Sequence, residues 1–286
     1  MKKVLIAYFS QGGTTLSISR RIEKGMSEKQ FAVDLFNITD DVLPDLNAYD
    51  IIGLGFPVYF YRPPFNVMQF IRKLPDLKGM AFFLFSLYGT KPGTSMNTVN
   101  KVLRRKGGRN IGSGKFKGAD YFIGYIKRGF LFSPDSPTEA EMESAYRFAQ
   151  EIVDNWEKKL SADYAKDRSD GVIFSLESLM TKELFVKNIY SRLFKAQKDK
   201  CTSCGLCVRI CPTGNIGIKD KGRPDWGNNC LFCFYCEMKC PVDAIKSPID
   251  WPLMAPFMAY NVRQARGDSG IEKVKVIHSR GKTTRL

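Results

Sequence analysis

Apolar positions in the first 160 residues alternate between two periods. Residues 3–9 (KVLIAYF) form an unbroken apolar run, the pattern of a strand buried on both faces of a parallel sheet. Ile18, Ile22 and Met26 follow at helical spacing. The alternation then repeats. Strands are expected at 31–36, 51–56 and 80–87, and helical stripes run through Val67, Phe70, Ile71 and Leu74 and through Met96, Val99 and Leu103. Residues 109–126 are glycine-rich and aromatic and read as an interrupted fifth strand. Ser136 with Glu139 reads as a capping box, with Pro137 at the first helical position. Met142, Ala145, Ile152 and Trp156 mark the buried face of the helix that follows. Regular β/α alternation predicts an α/β domain built on a doubly wound parallel sheet of order 2-1-3-4-5.

The pattern changes after residue 160. Residues 161–171 (SADYAKDRSDG) are polar and end the first domain. A helix is expected over 176–196, with Val186, Ile189, Tyr190 and Leu193 on one face. The chain therefore divides into a first domain at 1–160, a helical linker at 161–197, a small α+β domain at 198–250 and a basic tail at 251–286. The tail opens on the apolar, proline-broken stretch 251–258 and is expected to fold back onto the chain or onto a second copy.

All eight cysteines lie in the small domain, in two runs of the form C-x2-C-x2-C-x3-C-P. The first is Cys201, Cys204, Cys207 and Cys211 before Pro212; the second is Cys230, Cys233, Cys236 and Cys240 before Pro241. Three thiolates two residues apart can each meet a different iron of one cube, while the fourth turns away to the other cube. The expected ligand sets are Cys201, Cys204, Cys207 and Cys240 for cluster 1, and Cys211, Cys230, Cys233 and Cys236 for cluster 2. The runs superimpose at an offset of 29 residues, from Cys201–Ile216 onto Cys230–Ile245. Gly205 suits a tight approach of backbone to the first cluster, and Phe232, Phe234 and Tyr235 are placed to shield the second. Zinc knuckles use separated cysteine pairs, and disulfides require an oxidising compartment; neither explains a third cysteine in each run followed by C-P.

In a sheet of order 2-1-3-4-5, ligands bind beyond the carboxyl ends of the strands, at the switch between the first and third. The loop after the first strand holds Ser10, Gln11, Gly12, Gly13, Thr14 and Thr15, and it opens a helix, so hydroxyls and backbone N–H groups converge as an anion site requires. Helix capping alone would also use Ser10 and Thr15. The loop after the third strand offers Pro57, Val58, Tyr59 and Phe60, and the loop after the fourth offers Leu87, Tyr88 and Gly89. Two aromatics beside a phosphate cradle suit a planar flavin, and a loop that opens a helix directly, with no dinucleotide fingerprint, points to FMN.

The formal charge is +15 over 286 residues. Each four-thiolate cube carries about −2, so two cubes and a flavin phosphate leave roughly +9. That charge suits acidic redox partners, such as ferredoxins or oxidoreductases, and no nucleic-acid module accompanies it. No apolar stretch approaches the roughly 20 residues of a membrane span, and the short run at 4–9 is no signal peptide, so a cytoplasmic protein is expected. The single histidine, His278, leaves no set for a di-iron site or a Ser–His triad. The stretch Gly112-Ser113-Gly114-Lys115 is followed by Phe116 where a nucleotide loop needs Ser or Thr.

With these residues in place, the first domain resembles flavodoxin. The whole chain resembles the prokaryotic ferredoxin–flavodoxin fusion family. The matching segments are residues 8–15 (YFSQGGTT), 55–59 (GFPVY), 201–216 and 226–245. Gly12 stands in place of the threonine of the flavodoxin phosphate loop, and Gln11 where a small residue is common. The resemblance implies a flavodoxin-like domain holding FMN, followed by a two-cluster [4Fe–4S] ferredoxin domain. It further implies electron transfer as the function, with no catalytic acid–base residue in the chain. A flavin-dependent reductase of a small molecule, fed by the clusters, is the alternative, and an iron–sulfur regulatory or nucleic-acid-binding protein a second. A second copy of the chain is a candidate partner.

Overall fold

A computed structural model describes residues 1–40, 42–162, 171–219, 222–279 and 282–285. It falls into two compact units, one of residues 1–119 and 135–169, the other of 120–134 and 170–286.

In the first unit the apolar runs become strands. β1 (Lys2–Tyr8), β2 (Phe31–Asn37), β3 (Ile51–Pro57), β4 (Ala81–Tyr88) and β5 (Arg109–Lys117) pair in parallel in the order β2-β1-β3-β4-β5. The expected α/β sheet is thus present, with both faces covered. α1 (Thr14–Ser27) and α5 (Glu139–Glu157) cover one face: Ile18, Ile22 and Met26 pack with Ala145, Ala149, Ile152 and Phe83. α2 (Phe65–Lys73) and α3 (Ser95–Arg105) follow β3 and β4. Two glycines of β3 are required by packing. A Cβ on Gly53 would stand 2.3 Å from the Phe83 ring, and one on Gly55 would stand 2.1 Å from the Phe85 ring.

The boundaries differ from expectation in three places. β5 is irregular near its start, where its register with β4 shifts between Phe82 and Phe83, and it ends at Lys117; the aromatics beyond it group with the second unit. α4 (Ile123–Ile126) and β6 (Phe130–Phe132) group with the second unit, where Tyr125 and Phe132 pack on Val262 and Ile271. The closing helix starts two residues late. Thr138 is its cap, its N–H donating to Glu141 Oε2 at 2.6 Å, while Ser136 and Pro137 precede the helix. The same Thr-x-x-Glu spacing recurs two residues downstream, and it is that copy which closes the box.

The expected helix at 176–196 is two helices, α6 (Gly171–Met180) and α7 (Glu183–Asn188), followed by a 3-10 turn at Tyr190–Leu193. Thr181 ends the first: its N–H and its hydroxyl both donate to the Glu177 carbonyl, at 3.0 and 2.8 Å. A threonine hydroxyl that bonds back to the i−4 carbonyl competes with helix continuation. Residues 163–170, most of the expected polar linker, lie outside the described residues. The tail folds back onto the second unit. α10 (Ala255–Gly267) leads to β11 (Lys273–Ser279), which pairs antiparallel with β6 and with β12 (Lys282–Arg285). Among the described residues, no helix is long and apolar enough to cross a membrane.

Candidate cluster and flavin sites

The second unit realises the 29-residue repeat in backbone geometry. β7 (Lys195–Ala196) pairs with β10 (Ile245–Lys246), and β8 (Ile216–Lys219) pairs with β9 (Arg223–Trp226). α8 (Leu206–Arg209) and α9 (Tyr235–Met238) start 29 residues apart. Left-handed residues fall at matching positions: Ser203 and Phe232 (φ 56° and 60°), Gly205 and Phe234 (69° and 56°), Gly214 and Asp243 (58° and 48°). Such a conformation is costly for side chains other than glycine, so its recurrence at paired positions marks a backbone shaped around a site. Each run also aims an N–H at its last cysteine: Asn215 N donates to Cys211 Sγ and Ala244 N to Cys240 Sγ, both at 3.3 Å.

The cysteines are sorted across the runs. Cys201, Cys204 and Cys207 line one cavity together with Cys240, although Cys240 closes the other run. Burial raises the Cys207 thiol pKa, and neighbouring charge at Cys204 and Cys240 raises it further. In the other group, burial pushes Cys230 up to about 12, with Cys233 and Cys211 adding to the shift. Burial also lifts Cys236 well above the usual thiol range, with Cys233 and Cys230 adding. Thiols this reluctant to ionise need a cation beside them, and bound iron supplies one while removing the protons. The cavity, the N–H groups aimed at sulfur and the four-sulfur sets fit two cubes. Ligands of one cube meet different irons, and no set of three His, Cys, Asp or Glu among the described residues converges on a single ion.

The surroundings of the two sites differ. Around the second, Leu231, Phe232 and Phe234 are buried, with ring centroids of Phe232 and Phe234 at 4.5 Å. Tyr190 stacks on Phe232 at 5.3 Å and Phe194 on Trp226 at 5.8 Å. Trp226 Nε1 is buried without a closed hydrogen bond, and its N–H favours the Cys236 thiolate. Glu237 is buried next to that ligand. Burial raises its pKa, and Lys127 opposes the shift by donating to Glu237 Oε1. The same ammonium donates to Asp250 at 2.7 and 2.9 Å. The chain's sequence contains no local sign of this pairing, because Lys127 and Glu237 are 110 residues apart.

At the carboxyl ends of the strands in the first unit, α1 begins at Thr14 after Gly13, whose φ is 91°. Its N-cap residue, Gly13, has no side chain to cap it and no acid stands in its first turn, and a Cβ at Gly12 or Gly13 would meet nothing within 4 Å. Ser10 Oγ accepts from Leu16 N at 3.2 Å, and Thr15 is buried. An open glycine turn before a helix N-terminus fits a phosphate. The Tyr59 hydroxyl donates to Gln11 Oε1 at 2.8 Å, which joins the loops after β1 and β3. Residues 59–62 form a tight turn closed at 2.9 and 3.1 Å, with Phe60 and Tyr61 both left-handed at φ 48° and 64°. Two strained aromatics at a loop tip are the kind of outlier that accompanies ligand sites, and the sequence reading had no signal for Tyr61. Pro57 ends β3, Val58 N donates to the Leu87 carbonyl at 2.8 Å, and Tyr88 ends β4 just before Gly89. The Leu87 side chain packs in the core, so only its backbone faces the loops.

Comparison with known proteins follows these two units. A family profile described as a flavodoxin domain matches residues 5–123, and one described as a 4Fe-4S dicluster domain matches residues 187–245. An uncharacterized protein of Methanocaldococcus jannaschii is 29% identical over 140 residues, 48% of this chain and 91% of the relative. Pyruvate synthase subunit PorD of Methanothermobacter marburgensis is 40% identical over 57 residues, 19% of this chain and 67% of the relative. NADH-quinone oxidoreductase subunit I of Pelobacter propionicus is 30% identical, over 23% of this chain and 42% of the relative. The solved structure of an archaeal flavodoxin, 17% identical, covers 54% of this chain and 99% of its own, with a TM-score of 0.44. The two profiles assign FMN to the first unit and two [4Fe–4S] clusters to the second.

Proposed function

We propose that this chain, in which a flavodoxin domain is followed by a dicluster 4Fe-4S domain, is an electron carrier. In this reading electrons pass between FMN, two [4Fe–4S] clusters and external redox proteins. When bound, these groups supply transfer of one electron at each cluster and one or two at the flavin.

The observation that carries the reading is the sorting of cysteines, with Cys240 in one cavity with Cys201, Cys204 and Cys207. A single-run site would leave the C-P cysteine out. Residues 201–207 and 240 hold one cube, and residues 230–236 with Cys211 hold the other. Asn215 N and Ala244 N stabilise charge on the sulfur of the crossing ligands. The turn Gly12-Gly13 and the first N–H groups of α1 hold the phosphate. Tyr59, Phe60, Tyr88 and Gly89 flank the ring, and Gln11 orients Tyr59. No step needs an acid or base from the protein.

Anaerobically purified protein is expected to contain one FMN and about eight iron per chain. The double substitution Gly13→Val with Thr15→Val should empty the flavin site and leave the iron content unchanged, because valine opposes φ 91° at the turn. Flash reduction of the clusters should be followed by first-order flavin reduction, independent of protein concentration if the path lies within one chain rather than across a dimer. Released FAD, or a flavin that stays oxidised although its potential permits reduction, would overturn the reading.

A further inference from the structure

The repeat allows the two cluster sites to be compared position by position, and they are opposites in exposure. In the first run Thr202, Ser203 and Cys204 are exposed. Their counterparts 29 residues on are Leu231, Phe232 and Cys233; the first two are buried and Cys233 is half-buried. Gly205 likewise corresponds to Phe234, which is 1% exposed. The left-handed backbone positions recur at both sites, so the difference lies in the side chains of the two runs and in Tyr190 and Phe194, which pack on Phe232.

Basic residues flank the open site along the chain. Lys198, Lys200, Arg209, Lys239 and Lys246 are exposed, and each lies within four residues of a residue lining the first cavity. Arg209 donates to the Cys204 carbonyl at 3.0 Å, which sets a guanidinium against the exposed cysteine. Among the described residues, the acids beside the same cavity are Asp199, which is exposed, and Asp225 and Asp243, which are half-buried; Asp225 is paired with Lys219 at 2.8 Å. The corresponding position to Arg209 in the second run is Met238, so the charge does not follow the repeat.

We propose that the Cys201–Cys207 loop is the docking face at which external electrons enter or leave, and that its partner is an acidic one-electron carrier protein. This rests on the electron-carrier reading and adds to it the site and the sign of the partner. One electron leaves the carrier, which is oxidised by one unit, and is taken up at the first cluster site. No bond is made or broken and no proton moves. Exposure at Cys204 keeps the tunnelling gap short, and the flanking lysines raise the encounter rate and set orientation. The closed site, walled by aromatics, then serves as an interior station.

The test uses the full-length anaerobic holoprotein and a reduced, acidic plant-type [2Fe–2S] ferredoxin. The triple substitution Lys198→Glu, Lys200→Glu and Lys246→Glu should weaken complex formation in titration calorimetry. It should slow bimolecular cluster reduction about tenfold at low salt, with the difference closing as salt rises. A control triple on the first unit, Lys24→Glu, Lys29→Glu and Lys101→Glu, makes the same change in net charge and should alter neither by more than about twofold. Equal effects of the two triples would mean that net charge and not this face governs docking, and would overturn the proposal. So would an unaffected rate in the first triple. Iron analysis of the same samples separates the two ideas: missing cubes in the wild type sink the electron-carrier reading, whereas intact cubes with unchanged rates sink the docking face alone.

Discussion

Crossed ligation can be tested by pairing cysteine substitutions. Cys204 and Cys240 line the same cavity although they belong to different runs, whereas Cys204 and Cys211 belong to one run and to different sites. Each single substitution to alanine should cost one cube, taking the count of intact cubes from two to one. The doubles then separate. Cys204→Ala with Cys240→Ala strikes one cube twice and should still leave one intact, about half of the roughly eight iron atoms. Cys204→Ala with Cys211→Ala strikes both and should leave none. The intact cube in the first double is the one beside the buried Leu231, Phe232 and Phe234, so it should resist chelators longer than either cube resists in a chain lacking that shell. Mössbauer and EPR counting of anaerobic protein reads the number of cubes directly and registers a damaged three-iron remnant separately. The reverse pattern, two cubes lost in Cys204→Ala with Cys240→Ala and one kept in Cys204→Ala with Cys211→Ala, would mean that each run ligates its own cluster.

Other expectations follow from packing and charge. Gly53→Ala and Gly55→Ala drive a methyl to 2.3 and 2.1 Å from buried phenylalanine rings. Each should destabilise by about 1–3 kcal/mol or more in urea denaturation, while Gly217→Ala, with nothing within 4 Å, should not. Lys127→Met leaves the 4%-exposed Glu237 side chain without its cation. It should cost about 2–3 kcal/mol, and Lys127→Met with Glu237→Gln should recover part of that loss in the same assay. Glu177 is buried and its pKa is raised by burial, against the stabilising donation from Asn261 Nδ2 at 3.0 and 3.1 Å. The folded chain thus binds a proton that the unfolded chain releases, so stability falls as pH rises from the ordinary carboxylate range through the raised value. The slope reaches at most about 1.36 kcal/mol per pH unit. Glu177→Gln should remove this component of the pH dependence, and an unchanged profile would refute the assignment.

Much of the architecture was legible in the residues because it is local or periodic. Apolar runs of strand length separated by helical stripes dictate a parallel sheet, and its order 2-1-3-4-5 was observed. The cysteine spacing led to the expectation that Cys240 joins Cys201, Cys204 and Cys207, and these four line one cavity. The 29-residue offset predicted paired backbone shapes, and the left-handed positions recur at that interval. Helix ends were less legible, since Ser136 and Thr138 offer competing caps two residues apart and Thr181 ends a helix through a side-chain bond to Glu177.

Tertiary structure alone decided what surrounds each site. Tyr190 and Phe194 come from the segment before the first cysteine, yet they wall the second site. Lys127 arrives from an excursion out of the first unit's sequence, and its ammonium lies against a carboxylate beside Cys236. Tyr125 looked like part of a fifth strand and instead forms a small core with Phe132, Val262 and Ile271. Periodicity records which face of an element is apolar, but not which distant element will cover it. Two nearly identical cysteine runs therefore determined two similar loops, while burial by residues far along the chain made one site closed and aromatic and left the other open among lysines.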